Sequence, residues 1–154
     1  MNKIGFNMDY SEEVVGKLNA YLSSLQIAYM NVRGYHWNIE GKQFFTLHSK
    51  FEEVYNSLNE MADEVAERIL ILGGKPLHSF SEYLKISEIN EQTNVSSSEE
   101  SINSLLNDTQ KLLNIEREIL SFASENGDEG TVGLLSEYIG EQEKMTWMLN
   151  AQLK

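Results

Sequence analysis

Two histidines and two acids in the first half of the chain have the types and spacing of metal ligands. His36 stands in Tyr35-His36-Trp37, and His48 follows Phe44-Phe45-Thr46-Leu47. Asp63 and Glu67 are four residues apart, which puts them on one helix face, and His48 and Glu52 are related in the same way. Imidazole with carboxylate suits Fe, Zn or Mn without any thiolate. If His48 and Asp63 lie on one straight helix, they are separated by roughly 22 Å at the helical rise. No metal ion bridges that distance. Two copies of the helix, antiparallel about a two-fold axis, would bring His48 of one beside Asp63 and Glu67 of the other. The spacing therefore points to a site built between subunits.

Each residue also has a plainer reading. An acidic i,i+4 pair is commonly a solvated helix face, and a lone histidine is usually structural or exposed. His78, just beyond Pro76, is read that way and given no role. The di-iron pattern usual in ferritin-like bundles is a Glu-x-x-His motif on each of two helices. It is missing here: Phe45 stands three residues before His48, Arg33 three before His36, and no histidine follows His78.

The elements that must position these residues are helical. A first apolar run, Val14/Val15, Leu18, Leu22, Leu25, Tyr29 and Val32, recurs at helical steps, with Ser11 before Glu12 and Glu13 as its expected N-cap. A second runs from Leu47 through Phe51, Val54, Leu58, Met61, Val65 and Ile69 to Leu72, and stops at Gly73-Gly74. A third extends from Ile102 to Ala123, with Ser96-x-x-Glu99 or Ser97-x-x-Glu100 as a capping box. The fourth follows Asn126-Gly127-Asp128 and continues to Leu149. Connections near Asn38–Gln43 and Asn126–Gly130 are short and join antiparallel neighbours. The middle one, about Gly74 to Val95, is too long for a turn and is expected to cross the bundle. Phe80, Tyr83, Leu84 and Ile86 give it a short helix of its own. The prediction is a single all-α domain over residues 1–154, a ferritin-like four-helix bundle with one long crossover containing a short helix.

Composition narrows the function. Twelve basic against 24 acidic residues give a formal charge of −12, which opposes nucleic acid and anionic membranes and favours cations; an acidic solvated surface is the plain alternative. No cysteine is present, so disulfides and thiolate sites are excluded. Neither a signal-peptide core nor a membrane-length apolar stretch occurs, and a cytoplasmic location is expected.

Taken together, the chain resembles the Dps proteins, the miniature ferritins also called DNA-protection-during-starvation proteins. The resemblance rests on His36-Trp37, Gly41, Phe44/Phe45, Leu47-His48, Phe51, Tyr55, Asp63, Ala66-Glu67-Arg68 and Leu72-Gly73-Gly74-Lys75-Pro76, with weaker matches at Glu82-Tyr83-Leu84 and Trp147-Met148-Leu149. It implies a ferroxidase centre at a dimer two-fold, with His36 and His48 from one subunit and Asp63 and Glu67 from its mate. Glu52 would be an accessory ligand. Trp37 would be an electron donor or radical sink near the iron, or simply an interface anchor.

The resemblance further implies a homo-oligomeric shell of twelve subunits, with the short crossover helix helping to build the dimer contact. Fe²⁺ would be oxidised, with hydrogen peroxide preferred over dioxygen, and Zn²⁺ is a possible substitute. Glu52, Glu53 and Glu60 are candidates for an inner surface on which ferric mineral nucleates. Asp128 and Glu129 would line an iron-entry pore; several relatives carry a further Asp where this chain has Gly133, so entry would depend more on Asp128, Glu129 or Glu137, or use another route. Two other readings stay open: a DNA-compacting protein and a non-catalytic helical shell. The first is disfavoured, because DNA-binding relatives often use lysine-rich tails, whereas Met1–Asp9 holds one lysine and the C-terminus ends on Lys154 alone.

Overall fold

The computed structural model describes all residues, Met1–Lys154. It contains α1 (Met8–Asn38), α2 (Phe44–Ile71), α3 (Phe80–Ile86), α4 (Ser98–Glu125) and α5 (Glu129–Gln152), and no strand. The four long helices are the four apolar-periodic runs, and α3 is the short helix expected in the crossover. Their apolar faces meet in one core, where Leu18, Tyr21, Leu25, Tyr35, Leu47, Phe51, Ile69, Ile102, Ile119 and Leu135 are buried.

The path of the crossover is written in its hydrogen bonds to α1. Asn19 bonds the backbone of Lys75 and Leu77, Ser24 that of Glu88, Asn31 that of Asn90 and Gln92, and the N–H of Glu40 donates to Ser96. Residue numbers rise together on both sides, so the crossover runs the length of α1 in the same direction. It therefore delivers α4 to the end at which α2 began, and α2 and α4 are parallel, as in ferritin-like bundles. Polar side chains of α1, rather than a sheet or second core, satisfy this otherwise irregular backbone.

The helix ends match the sequence in two places and differ in one. α2 closes as anticipated: Gly73 takes φ +90°, its N–H donates to Leu70, and that of Gly74 donates to Ile69, the paired bonds of a glycine-terminated helix. α4 is capped by Ser97, whose hydroxyl accepts from the Glu100 N–H, so of the two serines considered this is the cap, without the return bond from the glutamate side chain that would complete a box. α1, however, begins at Met8 with Asn7 as its cap, not at Ser11. Asn2 folds the chain into a turn closed by bonds with Phe6, and its amide donates to the Ser11 hydroxyl and to the Leu72 carbonyl. Ser11 is thus drawn into the helix and buried.

Candidate metal centre

The short α1–α2 connection folds His36, in the last turns of α1, onto His48, near the start of α2. The two rings stack with centroids 3.8 Å apart and 14° from parallel. Each Nδ1 lies against the other residue's backbone carbonyl, at 2.6 Å for His36 to His48 and 2.7 Å for the reverse. A carbonyl only accepts, so each Nδ1 carries a hydrogen and donates it. In the neutral ring this leaves Nε2 with its lone pair, the tautomer a metal ion requires. Tyr55 packs edge-on against His36 (5.3 Å, 76°) and Phe44 stacks on His48 (4.9 Å, 20°), which fixes both rings in place.

This reciprocal arrangement has no counterpart in the sequence reading, since it depends on how tightly Ile39–Gln43 turns. Tyr55 was detectable, seven residues beyond His48 and so on the same helix face.

Asp63 and Glu67 lie exposed on α2 and make no hydrogen bond or ion pair with any group of their own chain. The fold thus brings His36 to His48, and Asp63 to Glu67, but does not bring one pair to the other. No three His, Asp or Glu side chains of the single chain gather to hold a metal ion. Glu52 is exposed one turn beyond His48, with the Tyr55 hydroxyl 3.5 Å from its carboxylate. Trp37 is 59 % exposed beside His36, and the Arg33 guanidinium sits 5.0 Å from its ring. His78 is exposed and its ring lies 3.1 Å from the Pro76 carbonyl.

The acids considered for iron handling divide. Glu60, Glu129 and Glu137 are exposed, and Glu53 is paired with Lys50 at 3.1 Å. Asp128 is not a pore residue. It is fully buried, caps α5 by accepting from the Thr131 N–H, and also accepts from the hydroxyls of Thr131 and Tyr10, both at 2.6 Å. Arg68 donates to it at 2.6 Å. Burial pushes its carboxyl up, but the Thr131 and Tyr10 hydrogen bonds and the Arg68 charge more than offset this, and the group is held below its ordinary value. A carboxylate so occupied has nothing left for a passing cation.

The ferritin-like domain family matches residues 15–154. A DNA protection during starvation protein of Porphyromonas gingivalis is 45 % identical over 138 residues, 90 % of this chain and 87 % of that protein. The crystal structure of a Dps protein from Vibrio cholerae O1, described as a member of a broad superfamily of ferritin-like diiron-carboxylate proteins, superposes with a TM-score of 0.98 at 51 % identity, covering 100 % of this chain and 97 % of that one. Dps from Listeria innocua soaked with zinc superposes with a TM-score of 0.88 at 27 % identity, over 91 % of this chain and 95 % of that one. A match of this extent, in sequence and in backbone alike, means that the chain belongs to the Dps family of the ferritin-like superfamily.

Proposed function

We propose that this protein is a ferroxidase whose sites form between two-fold-related copies: His36 and His48 of one copy, with Asp63 and Glu67 of a second, bind Fe²⁺ as substrate, and Glu52 assists. One observation carries the reading. Two imidazoles, one from α1 and one from α2, are pinned with their Nδ1 hydrogens spent on carbonyls, while a carboxylate pair further along α2 is left without a partner by its own chain. Family membership supplies the coarse function, iron binding and storage by a ferritin-like protein. No helix is long and apolar enough to cross a membrane, and we assign the protein to the cytoplasm.

In this reading, hydrogen peroxide takes two electrons from a pair of Fe²⁺ ions and, with two protons, becomes two water molecules. The paired transfer avoids the one-electron route to hydroxyl radical. Neutral imidazole and carboxylate bind Fe²⁺ weakly, as suits a metal ion that is substrate rather than resident cofactor. Zn²⁺ suits the same donors and is expected to compete without being oxidised. The ferric product collects inside a shell of twelve subunits, with Glu52 and Glu60 among the acids available to it.

The test is anaerobic loading with Fe²⁺ followed by stoichiometric peroxide, read as ferric absorbance. Replacing His36 and His48 by alanine removes two ligands outright. The fast phase should slow by more than the roughly 10–100-fold that loss of a supporting partner costs a metal site, while the particle keeps its size. Unchanged oxidation in an intact particle would place the chemistry elsewhere.

A DNA-compacting role is disfavoured by the formal charge of −12, which opposes phosphate. Plasmid mixed with the protein at about 0.15 M salt, without divalent ions, should migrate as free plasmid. A retarded band under those conditions would restore the DNA-binding reading.

A further inference from the structure

In the middle of the bundle, well away from the histidines, three helices converge on a carboxyl that water does not reach. Glu116 on α4 has 0 % exposure. Its Oε1 accepts from the Tyr21 hydroxyl of α1 at 2.7 Å and from the side-chain amide of Gln142 on α5. Two atoms of the same cluster are buried with no partner: Oε2 of Glu116 and Oε1 of Gln142. Were the carboxyl ionised, both would be orphaned acceptors, each carrying the penalty of an unmade buried hydrogen bond.

The charged and titratable surroundings offer no rescue for an anion. On its own helix, the neighbouring Arg117 is exposed and paired with Glu143 of α5 at 3.2 Å. From α1 the only such group is the Tyr21 hydroxyl, already donating. From α5 the Tyr138 hydroxyl turns to Glu64 of α2, at 3.0 Å. No lysine, arginine or histidine side chain bonds Glu116.

A single proton resolves the arrangement. Placed on Oε2, it turns that orphaned acceptor into a donor, with the unpartnered Gln142 Oε1 as an acceptor in the same cluster, while the amide N–H already donates to Glu116 Oε1. We infer that Glu116 keeps a proton in the folded protein well above the pH at which an exposed glutamic acid loses it, and that this neutral acid is a pH-sensitive tie joining α1, α4 and α5.

The direction of the titration agrees. Burial is the largest influence and pushes the carboxyl from 4.5 up to about 7; the Gln142 and Tyr21 hydrogen bonds and the Arg117 charge pull the other way without cancelling it. A proton held by the folded state and released by the unfolded chain stabilises the fold below the unfolded value, and that contribution is lost as pH rises through about 7. Above that range the bundle holds a buried charge and an unpartnered amide oxygen. On the function proposed above, Fe³⁺ hydrolysis releases protons, so the tie is firmest while mineral is being deposited. The inference about Glu116 does not depend on that function and is tested without iron.

The experiment is infrared spectroscopy of the assembled, iron-free protein, titrated between about pH 5 and pH 9 in H₂O and D₂O. The wild type should show a protonated-carboxyl C=O band that shifts in D₂O and fades as pH passes neutrality. Glu116→Gln should lack this band. Its thermal midpoint should fall less than that of the wild type over the same pH range. Tyr21→Phe removes a donor that favours the anion, so the band should persist to higher pH, a displacement that a purely structural tyrosine would not cause. If Glu116→Gln fails to assemble, the wild-type titration and Tyr21→Phe decide the matter. Absence of the band in wild type at about pH 5–6, or an identical band in Glu116→Gln, overturns the inference.

Discussion

Two inactive variants of this protein should regain activity when mixed. One carries His36→Ala with His48→Ala, the other Asp63→Asn with Glu67→Gln. Each alone should lose the fast oxidation of Fe²⁺ by peroxide, because on the proposed function every two-fold site then lacks half its ligands. In a heterodimer the outcome differs between its two sites. One takes histidines from the histidine-less chain and acids from the acid-less chain, and is dead. The other takes intact histidines and intact acids, and is whole. Random pairing at equal amounts makes about half the dimers mixed, so about one quarter of the wild-type sites should return. The acid variant is a mild one, since Asp63 and Glu67 are exposed and bond nothing in their own chain, and the amide replacements keep their shape. Coexpression of the two chains, with ferric absorbance after peroxide as the readout, makes the measurement. A coexpressed mixture as inactive as its parents, in particles of normal size and mixed composition, would rule out ligands shared across subunits.

How far such a site can be read from a sequence depends on what sets each part. The helices were legible because each buries one apolar stripe, and a stripe has a period. The spacing of His48, Glu52, Asp63 and Glu67 along α2 was legible for the same reason: on one helix, spacing fixes both face and distance. What a ring nitrogen bonds was not legible. The reciprocal contacts of His36 and His48 with each other's carbonyls arise from the closeness of two helix ends, which residue types do not encode. The start of α1 was misjudged because Asn7 and Ser11 offer similar capping chemistry, and only the turn around Asn2 decides between them. Glu116 was passed over within a polar stretch. Its spacing from Leu112 and Ile119 nevertheless puts it on the apolar stripe of α4, a place where a carboxyl must find partners or a proton.

Replacing Asp128 by alanine should be among the most destabilising changes available to this chain, at roughly 3–5 kcal/mol per subunit, the range seen when one member of a buried ion pair is removed. Asp128 is the N-cap of α5, accepting from the Thr131 N–H, a role the sequence reading did not assign it. Asp128 joins three helices: Tyr10 from α1, Arg68 from α2 and Thr131 from α5 all donate to it. Alanine leaves the Arg68 guanidinium, mostly shielded from water, without its counter-charge, frees two buried hydroxyls and uncaps α5. Asparagine retains the shape and an acceptor for Thr131, so Asp128→Asn should cost less than alanine. The acid limb separates charge from shape. Because the folded carboxyl is held below its ordinary value, its contribution is present above the unfolded value of 3.8 and is lost as pH falls through the lower folded one. Wild-type stability should therefore drop on acidification more steeply than that of Asp128→Asn. Urea unfolding at fixed protein concentration, since assembly contributes to apparent stability, gives both numbers. A midpoint for Asp128→Ala equal to that of the wild type would mean that this network does not hold the helix ends together. Iron uptake by Asp128→Asn should meanwhile proceed at the wild-type rate, because a carboxylate sealed behind four donors has no part in admitting cations.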